Sequence, residues 1–65
     1  MISYKPFWET VKARGLSWNR LVQEYDVNPS TLSRIRNNKP ITTETMAAFC
    51  KILNCDISDI VRYEA

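Results

Sequence analysis

The segment WNRLVQEYDVNPSTLSRIRN, residues 18–37, predicts two short helices that follow each other closely. The first has apolar side chains at i, i+3, i+4 and i+7, the spacing of a helix with one buried face. These side chains are Trp18, Leu21, Val22 and Tyr25. The second begins at Asn28–Pro29, since Asn can cap a helix and Pro fits its first turn, and it places Leu32 and Ile35 on one face.

A connection of three residues, Asp26–Val27–Asn28, separates the two predicted helices. Because so short a connection does not allow an antiparallel pair, we expect the helices to cross at a large angle. Asp26 can serve in this turn, since Asp tolerates the left-handed backbone conformation better than most residues. The corner between the helices is expected to be closed by Leu21, Tyr25, Val27, Leu32 and Ile35.

Helical signals on both sides of this segment predict an all-α fold of five short helices, in a single domain over residues 1–65. Pro6 fits the first turn of helix one, and Gly15 can end that helix. Phe7 is expected in the core, which leaves the adjacent Trp8 for a groove or an interface. Ser17 can cap the second helix.

The second half of the chain predicts the last two helices. Thr42 can cap a fourth helix over Thr43–Leu53, and Asn54 suits a left-handed stop. The apolar positions of this helix are Met46, Phe49, Cys50 and Leu53. Asp56 can cap a fifth, short helix, with Asp59 three residues on. That helix offers the core Ile57, Ile60 and Val61.

The composition argues against catalysis. The chain has no histidine, which is the commonest general base and metal ligand, and its single glycine excludes a glycine-rich phosphate loop. Cys50 and Cys55 match no zinc-site spacing and are expected to be shielded core thiols. We therefore expect no enzymatic activity, no metal, no cofactor and no small-molecule substrate.

No apolar run approaches the roughly 20 residues that span a bilayer, and the N-terminus lacks the pattern of a secretion signal. We therefore expect a cytoplasmic protein without membrane contact.

The net charge of +2 is modest, but the charges are unevenly distributed. Residues 1–39 contain seven cationic and three anionic side chains, whereas residues 40–65 contain two cationic and four anionic side chains. No acidic residue lies between Val27 and Thr43, a stretch that contains Arg34, Arg36 and Lys39. This polarity favours an anionic partner that meets one face, although on charge alone an unevenly charged solvated surface fits equally well.

The motif at residues 18–37, with NPSTLSRIRN at its centre, resembles the helix-turn-helix of Cro- and lambda-repressor-like bacterial regulators, also called the xenobiotic-response-element family. Ser17, the predicted helix Thr43–Leu53 and the ending NCDISDI, residues 54–60, also fit the five-helix plan of that family. The resemblance implies a sequence-specific, double-stranded-DNA-binding transcriptional repressor whose helix over residues 29–37 reads an operator major groove. It further implies a twofold homodimer. We expect the dimer contact in the acidic second half, because this half does not compete with DNA for the basic face, and we expect the DNA-bound protein to associate with the nucleoid.

Four positions depart from the family pattern. Trp18 stands where a phosphate-contacting Gln is usual, Val22 where Ala is usual, and Asp26 and Asn38 where Gly is common. Val22 is larger than Ala and can open the angle between the helices slightly. The departures affect contact details more than the fold.

The resemblance and the polar character of the second motif helix together give the candidate DNA-binding residues. They are Trp18, Asn28, Pro29, Ser30, Thr31, Ser33, Arg34, Arg36, Asn37 and Lys39. Arg34 is assigned to base edges, because Arg makes bidentate contacts with guanine. Pro29 can offer only apolar contact, and Asn28 has a structural role as a helix cap in any case.

The short polar residues at the start of the helix, Asn28, Ser30 and Thr31, can contact phosphates or bases. The residues assigned to phosphates are Ser33, Arg36, Asn37 and Lys39. Arg36 and Lys39 are equally compatible with a solvated surface. Trp18 can stack on a sugar-phosphate strand or act as a partly buried staple between the first two helices.

One further function class stays open for the whole chain. The same fold could serve as a protein-interaction module, an antitoxin-like or anti-repressor partner that binds protein with the same helix. DNA binding is distinguished from it by strong salt dependence and by competition from nonspecific duplex DNA.

Overall fold

A computed structural model describes all 65 residues and shows a mostly helical chain. It has four α-helices, one turn of 3₁₀ helix and a two-stranded antiparallel ribbon. The helices are α1 (Lys5–Ala13), α2 (Trp18–Glu24), α3 (Pro29–Arg36) and α4 (Thr43–Leu53). The 3₁₀ turn spans Ile57–Asp59, and the strands are β1 (Ile2–Ser3) and β2 (Arg62–Tyr63). No helix has both the length and the apolar character needed to cross a bilayer.

The side-chain caps predicted for the three helices α2, α3 and α4 are confirmed. In each, a side-chain oxygen accepts a hydrogen bond from a backbone N–H of the first turn, which otherwise has no partner within the helix. The pairs are Ser17 with Arg20 at 3.3 Å, Asn28 with Ser30 at 2.9 Å, and Thr42 with Thr45 at 3.1 Å. The helices α2, α3 and α4 therefore begin directly after the predicted cap residues.

Each α-helix is followed by a residue with positive φ. Gly15 (70°), Asp26 (58°) and Asn54 (51°) adopt the left-handed conformation expected of them, and Asn38 (60°) does so after α3. At the end of α1 the N–H of Leu16 donates to the carbonyl of Val11 at 3.0 Å, which satisfies an otherwise unpaired helical carbonyl. These four residues turn the chain sharply between helices.

Nine residues form a buried core to which every helix contributes. They are Tyr4, Phe7, Val11, Leu21, Leu32, Ile35, Phe49, Leu53 and Ile60. The rings of Phe7 and Phe49 meet edge to face with centroids 4.8 Å apart, which joins α1 to α4. Phe7, Leu21, Leu32, Ile35, Phe49 and Leu53 are therefore buried as predicted.

Tyr25 is not a core residue, contrary to the prediction, since 42% of it is exposed. The reason is that α2 ends at Glu24, so Tyr25 adopts non-helical backbone angles and leaves the buried stripe. Val22, Val27 and Met46 also lie at the edge of the core, each half-buried.

The predicted fifth α-helix is wrong, because only the single 3₁₀ turn Ile57–Asp59 forms there. Asp56 begins it as expected, and the carboxylate of Asp59 accepts from the Asp56 N–H at 3.2 Å. The chain then extends into β2, which pairs with β1 in the register Ile2↔Tyr63 and Ser3↔Arg62. This ribbon was not predicted from the sequence, and its strand β2 takes the place of further helix at the end of the chain.

Candidate nucleic-acid interface

The outer face of α3 and its flanking residues brings together nine of the ten predicted DNA-binding residues. Leu32 and Ile35 anchor the helix in the core, so its remaining side chains face outward. Thr31 is half-buried, and the other eight are exposed. Those eight are Asn28, Pro29, Ser30, Ser33, Arg34, Arg36, Asn37 and Lys39.

Short hydrogen bonds order the polar side chains at both ends of α3. At the start, Oδ1 of Asn28 accepts from both the N–H and the hydroxyl of Ser30, each at 2.9 Å. At the end, Nδ2 of Asn37 donates to the carbonyl of Ser33 at 2.8 Å. The amide groups of Asn28 and Asn37 are therefore partly committed to the helix itself.

Arg34 is held against the loop that follows α3. Its Nε and Nη2 atoms donate to the carbonyl oxygen of Pro40 at 3.2 and 2.8 Å. Because a guanidinium carries five N–H donors, both Nη1 donors and one on Nη2 make no bond within the chain. The Nη1–Nη2 edge still offers two parallel donors, so the anchored side chain can make a bidentate contact with guanine.

The loop after α3 is fixed by Tyr4, a residue that the sequence reasoning missed. Tyr4 is 4% exposed, and its hydroxyl donates to the carbonyl of Lys39 at 2.8 Å. Within the loop, the N–H of Lys39 donates to the carbonyl of Arg34 at 2.8 Å. A lone tyrosine before α1 belongs to no periodic pattern, so the sequence carries no signal for this contact.

Trp18, the tenth predicted residue, lies on α2 and is half-buried. Its ring stacks on Trp8 of α1 with an interplanar angle of 3° and centroids 6.1 Å apart, which confirms its role as a staple between the first two helices. Trp8 therefore packs within the molecule instead of lining an empty groove. The guanidinium carbon of Arg36 lies 4.3 Å from the centroid of the Trp18 ring, which links α2 to the end of α3.

The cations of this face have no acidic partner. The two ion pairs in the molecule are Arg20–Glu24 within α2, at 2.7 Å, and Arg62–Glu64 near the C-terminus, at 3.3 Å. The hydrogen bond from Arg20 lowers the pKa of the Glu24 carboxyl and raises the pKa of Arg20. The positive charges of Arg34, Arg36 and Lys39 are thus left unneutralised by the protein.

Comparison with known proteins agrees with this geometry. A structural search matches the crystal structure of the transcriptional regulator VanUg, form II, with a TM-score of 0.82 and 28% sequence identity. The match covers 94% of this chain and 81% of that one. No curated protein sequence matches significantly. The sequence model of the Cro/C1-type HTH DNA-binding domain family matches residues 7–65, and the chain belongs to that family.

Proposed function

We propose that this chain is a sequence-specific transcriptional regulator that represses by occupying a double-stranded operator, with α3 in the major groove. The observation that carries the proposal is the face of α3, which exposes polar and cationic side chains and has no carboxylate from Val27 to Thr43. A carboxylate there would repel phosphate, whereas unpaired cations attract it. The similarity to a structure described as a transcriptional regulator supports the regulatory role.

The position of each side chain along α3 suggests its role. The N-terminal residues of a recognition helix contact base edges, so we assign Ser30, Thr31 and Pro29 to the bases, with Pro29 limited to apolar contact. Arg34 reads a guanine through the guanidinium edge that Pro40 leaves free. Ser33, Arg36, Asn37 and Lys39 contact phosphates, which fix the register of the protein on the duplex.

In this proposal residues 1–65 act as one DNA-binding unit, and two copies bind as a twofold homodimer. The acidic residues after Pro40 are all exposed, and they are Glu44, Asp56, Asp59 and Glu64. A dimer contact through this half leaves the cationic face free for DNA. Repression then requires no chemistry, because a bound dimer blocks the operator sterically.

Selection of bound sequences from random duplex DNA tests the binding and the symmetry together. We expect one enriched, near-palindromic site with half-sites about one helical turn apart, bound by two copies of the chain. An enriched site without internal symmetry, bound by one copy, would retain DNA binding and reject the dimer. If no sequence is enriched, and the chain instead binds a protein partner regardless of salt and competitor DNA, the chain is a protein-interaction module.

A further inference from the structure

Arg36 differs from the other arginines in what its guanidinium contacts. The other four donate hydrogen bonds to a carbonyl or a carboxylate within the chain, and they are Arg14, Arg20, Arg34 and Arg62. Arg36 is exposed, donates no such bond and forms no ion pair. Its guanidinium lies instead over the indole ring of Trp18, at 4.3 Å.

This contact restrains the cation without occupying its donors. The electron-rich face of an aromatic ring attracts a guanidinium that lies over it. This attraction does not use up the N–H groups, which are the hydrogen-bond donors of the guanidinium. A carboxylate partner would have the opposite effect, because it would engage the donors and neutralise the charge. Arg36 is therefore restrained and remains able to bind an anion.

The indole is itself braced from the core. Trp18 stacks in parallel on Trp8, and the ring of Trp8 meets the fully buried Phe7 edge to face, with centroids 4.8 Å apart. A continuous series of aromatic contacts thus runs from Phe7 to Trp18, with Arg36 at its outer end. The orientation of Arg36 is set by packing that is independent of DNA.

We propose that Trp18 is a positioning residue that holds the Arg36 guanidinium ready to bind a DNA phosphate, with Trp8 as its support. This inference rests on the proposed function, and it gives Trp18 and Arg36 separate roles in binding. Arg36 is the last residue of α3, beyond the N-terminal positions that contact base edges, so its partner is the backbone. Trp18 contributes through Arg36 and requires no contact of its own with DNA.

A double-mutant cycle on the full chain tests the coupling, with the selected duplex and an unrelated duplex as ligands. Arg36→Ala is expected to weaken binding to both duplexes alike, by about tenfold, and to make the salt slope shallower by about 0.9 per bound copy. Trp18→Leu is expected to weaken binding about threefold, and to have no further effect when Arg36 is already Ala. Trp18→Phe keeps an aromatic face and should lose less affinity than Trp18→Leu.

The control is Lys51→Ala, which removes one exposed positive charge from α4 and should change neither affinity nor slope appreciably. Circular dichroism confirms folding of each variant, and Trp18→Met, which also lacks an aromatic face, completes the cycle if Trp18→Leu is unfolded. The inference is overturned if Arg36→Ala leaves the salt slope unchanged, or if the losses from the Trp18 and Arg36 substitutions simply add. Failure of the unsubstituted chain to bind any duplex would instead overturn the proposed function.

Discussion

At the scale of single residues, the anchoring of Arg34 leads to a prediction about specificity. The Pro40 carbonyl holds one edge of the guanidinium and leaves the other free, so the side chain is ordered before it meets a base. Arg34→Ala should cost about 1–3 kcal/mol on the selected duplex and relax the preference at one base pair in each half-site. Competition binding against a panel of single-base variants measures both effects.

The matched control for this prediction is Arg36→Ala, two residues further along the same helix. It removes the same charge but is expected to weaken all sequences equally. An unchanged base preference in Arg34→Ala would reject a base contact by Arg34 and leave the reading of polar base edges to Ser30 and Thr31.

The two cysteines give a residue-scale prediction about reactivity. Both are free and half-buried against the core, so they are less buried than the predicted core thiols. Burial raises the pKa of the Cys55 thiol above its ordinary value. Because the protonated form is favoured in the folded state, this contribution to stability is present below the ordinary pKa and is lost as pH rises through the raised one. Alkylation of Cys55 should therefore be slower in the folded protein than in urea.

The measurement is the alkylation rate of the Cys50→Ala variant, in which Cys55 is the single thiol, at mildly alkaline pH. Equal rates in the folded and unfolded protein would show that Cys55 is not shielded. The Cys50→Ala variant must first be shown to fold.

At the scale of elements, the end of α3 sets the direction of the loop that contains Lys39. Asn38 has a φ of 60°, a conformation that costs most residues about 1 kcal/mol or more but costs Gly little and Asn less than most. Asn38→Ala should therefore lower the free energy of unfolding by about 1 kcal/mol, whereas Asn38→Gly should keep it within about 0.5 kcal/mol. Urea denaturation measures both variants, and equal losses in the two would contradict a conformational origin.

The elements also show what the sequence can and cannot predict. The bounds of α4, Thr43–Leu53, match the prediction because its cap, its apolar spacing and its left-handed stop at Asn54 all agree. The prediction of a fifth helix was wrong, because the cap signal at Asp56 is local and carries no information about the strand that follows. Strands of two residues are too short to show alternation, so β1 and β2 left no pattern to detect.

The candidate site also has features that the sequence predicts and features that it does not. The exposure of the α3 residues follows from the buried spacing of Leu32 and Ile35, and it could be predicted. The contacts that order the site join distant parts of the chain, such as Tyr4 with Lys39 and Trp18 with Arg36. Such pairs depend on how the helices pack, which no local pattern reveals.

At the scale of the whole molecule, charge is separated between two halves that have different proposed partners. In the proposed function, the cations of the α3 region contact DNA and the acidic second half contacts another copy of the chain. Long-range attraction to an anionic duplex is screened by salt, so the separation makes binding strongly dependent on ionic strength.

The measurement that bears most directly on DNA binding by α3 is the slope of log affinity against log salt concentration for the selected duplex. Each neutralised phosphate contributes about −0.9. Arg36 and Lys39 are the cations assigned to phosphates and Arg34 is assigned to a base, so we predict a slope of about −1.8 or steeper per bound copy. The substitution of all three by Ala should remove most of that slope. A slope near zero for the unsubstituted chain, across moderate salt concentrations, would contradict the binding of DNA by this face.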